Sequence, residues 1–585
     1  MSNNAAFRVL VVDLANGSGR AIDFGSPGEW LGGSGLAAAL FQEYGLPDEP
    51  ASHPEQPLVF AIGPLTGYFP LMSKAVLGFK SPYHQQYAET HAGGRLALSL
   101  RFAGFDALVV KGRAQLPSCL IVGRHHLEVR NVQYLWGLDV FSTGKWLRKI
   151  QKAGSGHRSI LRIGPAGENQ SPYACINVDS YRHFGRLGAG AIMGSKNLKA
   201  MIVLGDGHVA LPEGKEYPDL YKDIYKEVTE SEVMRKYHDL GTPVNVLVLN
   251  AIKSLPWRNL QATQSEGAEN ISGERFAEQL LLRQTACSGC PVGCIHVGLL
   301  REMFASEHEF IYRQVSYDHE PIFAMGTMLG MERPSDVLTL IEEADRQGLD
   351  VMSTGVALAW ATEALEKGII SEKDTLTPLA FGDVHGYRKA IEHVALWTND
   401  FYRLLAQGTD HAAAEYGGRD FACVLGQEMA GYATGEVFFV SQAYGFRHSH
   451  LDSGGYGYDQ KVHDKDVAAA VKYMLDDEHR RVELTCMVAC LFARNVYTEE
   501  RLQNALTSIG LRDAADDLPG KASRIQGLRW RLKFETGYEP ARVTIPERFR
   551  SITTFKGALD RDFLDRTAQA YQEATRSLAT EASST

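Results

Sequence analysis

The sequence predicts an α+β protein in which a strand-rich first part precedes a mainly helical remainder. Up to about residue 205, short runs of apolar and β-branched residues alternate with glycine and proline turns, the pattern of β-strands. Beyond that point, apolar residues recur at i, i+3 and i+4, the spacing of amphipathic helices. At 585 residues the chain is long enough for roughly three to four domains. Residues 205–207, Gly-Asp-Gly, mark the first boundary.

The elements are assigned from these patterns. We expect strands at residues 7–14, 57–62, 74–78, 107–111, 119–122, 159–163 and 200–204. We expect helices at residues 28–44, 95–102, 217–237, 274–284, 335–347, 355–367, 383–406, 464–476 and 561–580. Ser335 is the predicted N-cap of one helix and Gly348 its predicted end. Residues 579–585 are expected to be a frayed tail.

Composition and charge exclude several classes of protein. The net charge of −10 argues against nucleic acid as the main partner. No apolar run reaches the ~18 residues of a membrane helix, and the N-terminus lacks a basic segment before its apolar run. Eight cysteines in so long a chain do not form a disulfide scaffold. We therefore expect a cytoplasmic protein that binds neither membranes nor nucleic acid.

Three cysteines lie close together in the sequence. Cys287, Cys290 and Cys294 form a C-x2-C-x3-C run with glycines that permit tight turns. Such a run can hold an iron–sulfur cluster, hold zinc or consist of inert thiols, and the spacing favours the cluster. A four-iron cluster needs a fourth ligand, for which Cys486 and Cys490 are the candidates.

Two glycine-rich loops are suited to an anionic ligand. Residues 186–199 combine glycines with Ser195, Lys196 and Lys199, and backbone N–H groups with cations are what phosphate requires. The order of a Walker A loop is absent, and a glycine-rich packing turn is an equally good interpretation. Residues 91–95, His-Ala-Gly-Gly-Arg, form the second loop.

Taken in series, these motifs resemble a known family. The matching segments are residues 63–67 (GPLTG), 91–94 (HAGG), 102–107 (FAGFDA), 111–113 (KGR), 163–169 (IGPAGEN), 193–199 (MGSKNLK), 286–294 (ACSGCPVGC) and 345–350 (DRQGLD). In this order and spacing they resemble the tungsten-containing aldehyde:ferredoxin oxidoreductases. The resemblance runs from about residue 7 to residue 500.

The resemblance implies a fold and a set of cofactors. It implies a β-rich domain, residues 1–207, that forms a base for the cofactor, and two mainly helical domains, residues 208–406 and 407–585. It implies tungsten or molybdenum held by the dithiolenes of two molybdopterins, with a [4Fe–4S] cluster alongside and Mg2+ as a further candidate. Such enzymes oxidise aldehydes to carboxylic acids and pass electrons to ferredoxin or a partner Fe–S subunit. Members form homodimers or hetero-oligomers.

The resemblance also assigns the cluster ligands. Cys287, Cys290 and Cys294 match the family's cluster motif, and Cys490 matches its fourth ligand, with Cys486 as the second choice. One motif departs from the family pattern: D-x-x-G-L-C is replaced by TCMVAC at residues 485–490, without the aspartate and the glycine.

A further set of residues is assigned to phosphate and pterin contacts. These residues are Lys74, Gly93, Gly94, Arg95, Arg186, Lys196, Asp345, Gly348, Leu349 and Asp350. A carboxylate such as Asp345 can accept hydrogen bonds from the N–H groups of a pterin ring.

The catalytic candidates are an acid and two histidines. Glu320 resembles a family glutamate near the metal, and an apolar run follows it, so we expect a raised pKa that suits a general base. Without the resemblance, Glu320 reads as an ordinary core glutamate. His450 matches a family histidine and would donate to a substrate carbonyl, with His448 as the alternative and His319 as a further neighbour.

Three functions remain open on the sequence alone. The first is aldehyde oxidation at a bis-pterin metal site. The second is a reaction of a divergent family member on another low-potential substrate, such as an acyl thioester ring or a hydroxy acid. The third is a non-catalytic Fe–S electron-transfer subunit.

Overall fold

The computed structural model describes residues 6–152, 156–305 and 308–581. Up to residue 205 the chain forms two six-stranded sheets, of order β2-β1-β6-β3-β4-β5 and β11-β10-β9-β12-β7-β8. The strands are β1 (Phe7–Asp13), β2 (Ser18–Phe24), β3 (Leu58–Ala61), β4 (Ala75–Lys80), β5 (Tyr87–Ala92), β6 (Ala107–Lys111), β7 (Ser118–Gly123), β8 (His126–Asn131), β9 (His157–Arg162), β10 (Ile176–Val178), β11 (Arg182–Phe184) and β12 (Leu198–Gly205).

The central strands are buried on both faces because their apolar runs are continuous. In β1, Leu10 and Val12 join a core that the two sheets share, while Val9 and Val11 point to the opposite face. Helix α2 (Gly33–Tyr44) covers that opposite face with Leu36 and its neighbours. The predicted strands are therefore present, and five further ones, β2, β5, β8, β10 and β11, were not predicted.

The helices of this part are short and mostly connect strands. They are α1 (Pro27–Trp30), α2 (Gly33–Tyr44), α3 (Leu96–Ala103), α4 (Val140–Ile150), α5 (Pro165–Glu168) and α6 (Ala189–Ser195). The single helix expected at residues 28–44 is broken at Leu31, whose φ is 58°. A Cβ on Gly33 would lie 2.1 Å from the Thr485 carbonyl oxygen, so the break admits a C-terminal segment that approaches the glycine closely.

Helices dominate the remainder of the chain. They are α7 (Glu216–Glu230), α8 (Glu232–Asp239), α9 (Asn245–Ala251), α10 (Gly273–Gln279), α11 (His319–Ile322), α12 (Pro334–Gln347), α13 (Val351–Glu366), α14 (Glu372–Thr375), α15 (Val384–Leu396), α16 (Asp400–Leu405), α17 (Thr409–Tyr416), α18 (Glu436–Tyr444), α19 (Gly455–Lys461), α20 (Val467–Cys486), α21 (Glu499–Ser508), α22 (Arg512–Ala515), α23 (Leu518–Glu535), α24 (Glu547–Arg550) and α25 (Arg561–Glu581). A π-helical turn, Phe323–Thr327, continues α11.

A three-stranded antiparallel sheet interrupts these helices. It comprises β13 (Leu281–Thr285), β14 (Ile295–Ala305) and β15 (Glu309–Tyr317). The helix expected at residues 274–284 is therefore wrong in its second half, because residues 281–285 pair with β14 instead of continuing α10. Two small hairpins, β16 (Val424–Leu425) with β17 (Gln427–Glu428) and β18 (Thr553–Thr554) with β19 (Gly557–Ala558), complete the strands.

Of the two predicted ends of helix α12, the C-terminal end is confirmed and the N-cap is wrong. Helix α12 ends at Gly348, which has a φ of 76°, as predicted. Its N-cap is Arg333 with Pro334 as the first helical residue, so the expected Ser335 cap lies inside the helix. The last helix, α25, includes residues 579–581 of the expected tail, and residues 582–585 lie outside the described residues.

The predicted fold class is confirmed: a β-sheet part is followed by a helical part. The division of the helical part at residue 406 stays a prediction, and Phe401 and Ala412, on either side of it, share one apolar core. None of the helices in the described ranges is long and apolar enough to cross a membrane.

Candidate active site

A cavity of about 410 Å³ lies where the sheet part meets the helical part. This volume is within the range of small-molecule sites, ~300–1,000 Å³. Eleven residues predicted from the sequence line it: Lys74, Arg186, Cys287, Cys290, Cys294, Glu320, Asp345, Leu349, Asp350, His450 and Cys490. Residues from seven separate segments of the chain thus meet at one cavity.

At one end of the cavity is the cysteine loop, residues 286–294. It connects the antiparallel strands β13 and β14, in which Thr285 pairs with Ile295. Gly289 and Gly293 have φ values of 74° and 69°, a left-handed conformation that favours glycine and lets the loop turn back on itself. The three cysteines of the loop are half-buried and unoxidised.

The Cys490 segment is tied to this loop through one residue of the sheet part. The Leu71 N–H donates to the Gly289 carbonyl at 3.2 Å, and the Leu71 carbonyl accepts from the Cys490 N–H at 3.1 Å. Cys490 is half-buried and lines the cavity with the loop cysteines. Cys486 is fully buried in an apolar cluster and does not line the cavity. The geometry therefore favours Cys490 as the fourth ligand.

The thiols and two cations influence each other at this end of the cavity. Burial and the neighbouring Cys490 raise the pKa of Cys290 to about 12 and that of Cys294 to about 11. Burial lowers the pKa of Lys74, but thiolates at Cys490 and Cys287 outweigh it, so the pKa is raised overall. The same thiolates help to raise the pKa of Arg182. Lys74 and Arg182 can therefore compensate part of the negative charge that thiolates would bring to this site.

No group of three or more His, Cys, Asp or Glu side chains within residues 6–152, 156–305 and 308–581 is placed to hold a single metal ion. The four cysteines all line the cavity. Four thiolates are the donor set of a four-iron cluster, so the residue types present suit such a cluster chemically.

The motif at residues 345–350 spans the junction of α12 and α13. Asp350 is the N-cap of α13, and its carboxylate accepts from the Met352 N–H at 3.2 Å and the Ser353 N–H at 3.1 Å. Asp345 contacts His183 at 3.2 Å and lines the cavity. Gly348 does not line the cavity. Its left-handed backbone turns the chain so that Leu349 and Asp350 reach the cavity.

Unpaired donors point to an anionic ligand. Arg186 donates to the Asp350 carboxylate at 3.3 Å and to the Glu428 carbonyl at 2.7 Å, but its Nη1 has no hydrogen-bond partner in the described chain. The Nε of Arg182 is also buried and unpaired among those residues. Buried guanidinium groups with free N–H donors fit phosphate oxygens, which accept several such bonds.

The third feature of the cavity is an acid–histidine pair. The Nε2 of His450 lies 3.3 Å from the Oε1 of Glu320, and the Tyr432 hydroxyl donates to the same oxygen at 3.0 Å. The Nδ1 of His450 is buried and has no hydrogen-bond partner in the described part of the chain. This arrangement orients both side chains at the cavity wall.

The electrostatics of Glu320 correct one expectation. Burial would raise its pKa, but the hydrogen bond and interaction with His450 hold the pKa at about 2. The raised pKa belongs to Asp318, where burial and the negative Glu320 raise it to about 6. Asp318 lies 3.9 Å from Arg182 and also lines the cavity. Glu320 is therefore ionised at neutral pH, and Asp318 is the carboxyl that titrates near it.

Three of the predicted side chains, those of Lys196, Arg95 and His448, do not line the cavity. Lys196 is buried and donates to the Pro54 carbonyl at 2.6 Å, so its charge stabilises a loop. Arg95 is exposed at the start of α3. His448 is buried between the Ala443 carbonyl, at 2.8 Å, and the Nζ of Lys533, at 3.1 Å. Local partners thus use the polar groups of Lys196 and His448, and Arg95 lies at the surface.

Two glycines and one histidine have other roles. A Cβ on Gly93 would lie 2.6 Å from the Cys287 Sγ, and the Gly94 carbonyl accepts from the Ser288 N–H at 3.0 Å. Both glycines thus support the cysteine loop and do not line the cavity. His319 is fully buried and lies 3.2 Å from the Gly431 carbonyl, behind the cavity wall.

Several polar residues of the site carry no sequence motif that could have identified them. Arg182, His183 and Asp318 line the cavity, and Tyr432 supports Glu320 from behind. Arg182 and His183 lie on the short strand β11, which was not predicted. Asp318 is two residues from Glu320 in the family segment, and this proximity was the one available signal.

Residues 485–490, which differ from the family's D-x-x-G-L-C motif, form a turn with a left-handed residue. Val488 replaces the family glycine and has a φ of 54°, a conformation that is strained for a β-branched side chain. Thr485 replaces the aspartate, and its hydroxyl donates to the Val482 carbonyl of its own helix at 3.2 Å. The turn that brings Cys490 to the cavity is therefore present without the carboxylate.

Comparison with known proteins agrees with this architecture. Residues 9–205 match the N-terminal domain of aldehyde ferredoxin oxidoreductase, and residues 219–575 match its domains 2 and 3. The chain is 29% identical over 567 residues to a tungsten-containing aldehyde ferredoxin oxidoreductase of Thermococcus kodakarensis, covering 93% of this chain and 91% of that protein.

Two further similar proteins have names that describe other activities. The chain is 28% identical over 463 residues to the WOR-like subunit of an aliphatic sulfonate oxidoreductase of Pyrococcus furiosus, covering 76% of this chain and 72% of that protein. The active-site complex BamBC of benzoyl coenzyme A reductase, solved with 1,5-dienoyl-CoA, superposes with a TM-score of 0.81. That match covers 98% of this chain and 95% of the other at 19% identity, and shows a shared fold.

Family models thus match nearly the whole chain, in the same order as the sheet and helical parts. The chain belongs to the aldehyde ferredoxin oxidoreductase family.

Proposed function

We propose that this protein is a tungsten or molybdenum oxidoreductase that oxidises an aldehyde to a carboxylic acid and passes the electrons out through a [4Fe–4S] cluster. One observation carries the proposal: four cysteines, the motif at residues 345–350 and the Glu320–His450 pair line the same cavity. Each group alone has a structural explanation. Their convergence at one cavity supports a redox site with two cofactors.

The residues present fit a bis-pterin cofactor at most of its contacts. Arg182 and Arg186 have buried donors without partners, which suits pterin phosphates. Asp345 offers carboxylate oxygens for the ring N–H groups. When bound, such a cofactor would supply the two-electron oxidation of the substrate carbon. Mg2+ near the phosphates is part of the same proposal.

The acid–histidine pair would bind and orient the substrate. The unpaired Nδ1 and the cavity-facing ring of His450 suit a hydrogen bond to an aldehyde oxygen. Glu320, with a pKa of about 2, holds its charge and orients His450 instead of accepting a proton near neutral pH. Asp318, with a pKa of about 6, is better matched to accept a proton from water at the site.

At the other end of the cavity, the cysteines would hold the cluster. Cys287, Cys290, Cys294 and Cys490 are the proposed ligands, with Lys74 and Arg182 compensating the thiolate charge. Electrons would then leave to ferredoxin or an Fe–S partner subunit. A homodimer or a hetero-oligomer in the cytoplasm is part of this proposal.

The decisive experiment is metal analysis of anaerobically purified protein, together with an aldehyde panel and a viologen acceptor. We expect about four iron atoms per chain with tungsten or molybdenum, and aldehyde-dependent viologen reduction. Iron without either heavier metal would favour the non-catalytic electron-transfer subunit. Full metal content without activity on any aldehyde would favour another low-potential substrate, and zinc alone would overturn both redox readings.

A further inference from the structure

A second, much smaller pocket adjoins the cavity. It has a volume of about 10 Å³ and is lined mainly by charged residues, which include Arg447, Asp452, Glu478, Arg481, Thr485 and Arg529. Arg447 and Thr485 line both the pocket and the main cavity. A volume of this size is about that of one water probe, and the walls offer the polar partners that a water needs. We call it the charged pocket.

Glu478 on α20 faces this pocket with an unused oxygen. The residue is 2% exposed. Its Oε2 accepts from the Trp530 Nε1 at 3.2 Å, while its Oε1 has no hydrogen-bond partner in the described chain. A buried carboxyl oxygen without a partner beside a water-sized space requires either a water or a proton.

Two buried carboxyls share a single guanidinium here. Arg529 donates to both oxygens of Glu89, at 2.7 and 3.2 Å, and lies 3.6 Å from the Oε1 of Glu478. The bidentate pair neutralises Glu89, so Glu478 is left as the carboxyl that can gain and lose a proton. Burial and the negative charge of Asp452 raise the pKa of Glu478, Arg529 lowers it, and the resulting pKa is about 7.

Beside the charged pocket is a partly exposed carboxylate. Arg481 lines the pocket and donates to Asp477 at 2.6 Å, and the Asp477 side chain is 29% exposed. The other groups that interact with Glu478 are the buried amine of Lys533 and the polar side chains of Trp530, Gln526 and Tyr571. The charged pocket thus adjoins the main cavity through Arg447 and Thr485, and adjoins Asp477 through Arg481.

We propose that Glu478 is a proton-transfer residue that carries protons from the main cavity, through water in the charged pocket, to Asp477 and solvent. The inference rests on the proposed function. Oxidation of an aldehyde and a water to a carboxylic acid breaks the aldehyde C–H bond, forms a C–O bond and releases two electrons and two protons. The electrons leave through the cysteine end to a one-electron acceptor, so the protons need a route of their own.

Glu478→Gln in the holoenzyme tests this route. Glutamine keeps the shape and the bond to Trp530 but cannot release a proton. With a saturating viologen, we expect kcat to fall by about tenfold to a hundredfold with KM unchanged and the solvent isotope effect increased. Asp476→Asn on the same helix, at an exposed side chain, is the matched control and should behave as wild type. A wild-type kcat and isotope effect in Glu478→Gln would overturn the proposal.

Infrared spectroscopy gives a readout that does not depend on turnover. A carboxylic-acid C=O band that titrates near pH 7 should be present in the wild type and in Asp476→Asn, and absent in Glu478→Gln. If Glu478→Gln fails to fold, Glu478→Asp is used in its place. Glu478→Asp keeps a titratable carboxyl and should retain part of the wild-type rate. Loss of aldehyde activity in the wild type would count against the proposed function alone. A wild type without the titrating band would overturn the proton route.

Discussion

At the residue scale, two carboxyls of the cavity differ in pKa because burial raises both values and their charged neighbours differ. Asp318 and Glu320 are two positions apart and both face the cavity, yet their pKa values lie near 6 and 2. The difference arises because Glu320 has His450 as a partner, while Asp318 has Glu320 as a repelling neighbour. Sequence reasoning located Glu320 but not Asp318, and it expected the raised pKa at Glu320.

This assignment predicts the acidic limb of the pH profile. The pKa of Asp318 is raised above the ordinary ~3.9, so the carboxyl gains its proton as the pH falls through about 6. We expect kcat to fall below that pH. The Asp318→Asn variant should have a low kcat that does not fall further as the pH drops through about 6. Glu320→Gln removes the charge that helps to raise the pKa, so its break should move to lower pH.

The measurement is kcat against pH for the wild type and both variants, at saturating aldehyde. Glu332→Gln, at a glutamate outside the cavity, serves as the control. A break that stays at the same pH in Asp318→Asn would remove Asp318 from the proton-transfer step.

A second residue-scale prediction separates the two candidate fourth ligands. Cys490→Ser should lose most of the cluster absorbance and iron, because Cys490 lines the cavity with the loop cysteines. Cys486→Ser should keep both, since its thiol is buried in an apolar cluster, with burial raising its pKa to about 12. Iron content and visible absorbance of anaerobic protein give the comparison. The opposite ranking would make Cys486 the ligand.

At the scale of elements, short segments that come from distant parts of the chain hold the cysteine loop in place. Leu71 bridges the loop to Cys490, and the end of β5 packs against Cys287. The predicted glycine turns exist, with left-handed φ at Gly289 and Gly293. The strand β13, which leads into the loop, could not be predicted because residues 281–285 become a strand only by pairing with β14.

The contact at Gly93 yields an element-scale prediction. In Gly93→Ala the new methyl group would lie 2.6 Å from the Cys287 Sγ, so the loop must shift. We expect lower iron content per chain and a weaker cluster absorbance. Gly185→Ala is the control, because that glycine lines the cavity and has no atom within 4 Å of the new Cβ. Equal iron content in both variants would show that the contact at Gly93 does not determine the position of the cysteine loop.

At the scale of the whole molecule, buried polar contacts connect the sheet part to the C-terminal helices. Glu89 on β5 and Arg529 on α23 are fully buried and form a bidentate ion pair across the two parts. Glycines of α2 also admit the carbonyls of residues 485 and 486 at close range. The cavity exists only when these parts are assembled, since each supplies part of its wall.

Removing one partner of that ion pair should destabilise the assembly. Glu89→Gln removes the bidentate partner of the buried Arg529 and leaves it with Glu478, whose Oε1 lies 3.6 Å away. Breaking a buried ion pair in this way typically costs about 3–5 kcal/mol. We expect a clearly lower midpoint of thermal unfolding. The double variant Glu89→Met with Arg529→Met removes both charges and should lose less stability than Glu89→Gln alone. A double variant less stable than the single one would contradict this account.

The family motifs, the α+β class, the helix end at Gly348 and the cysteines of the loop could all be predicted from the sequence. These features depend on residue types at fixed local spacing, such as a glycine where φ must be positive. The folded chain was needed to show that Arg182 and Asp318 line the cavity, that Lys196 and His448 do not, and that Cys490 reaches it while Cys486 is buried elsewhere. The burial, charge and hydrogen-bond partners of these side chains come from segments that are distant in the sequence, and local spacing does not record them.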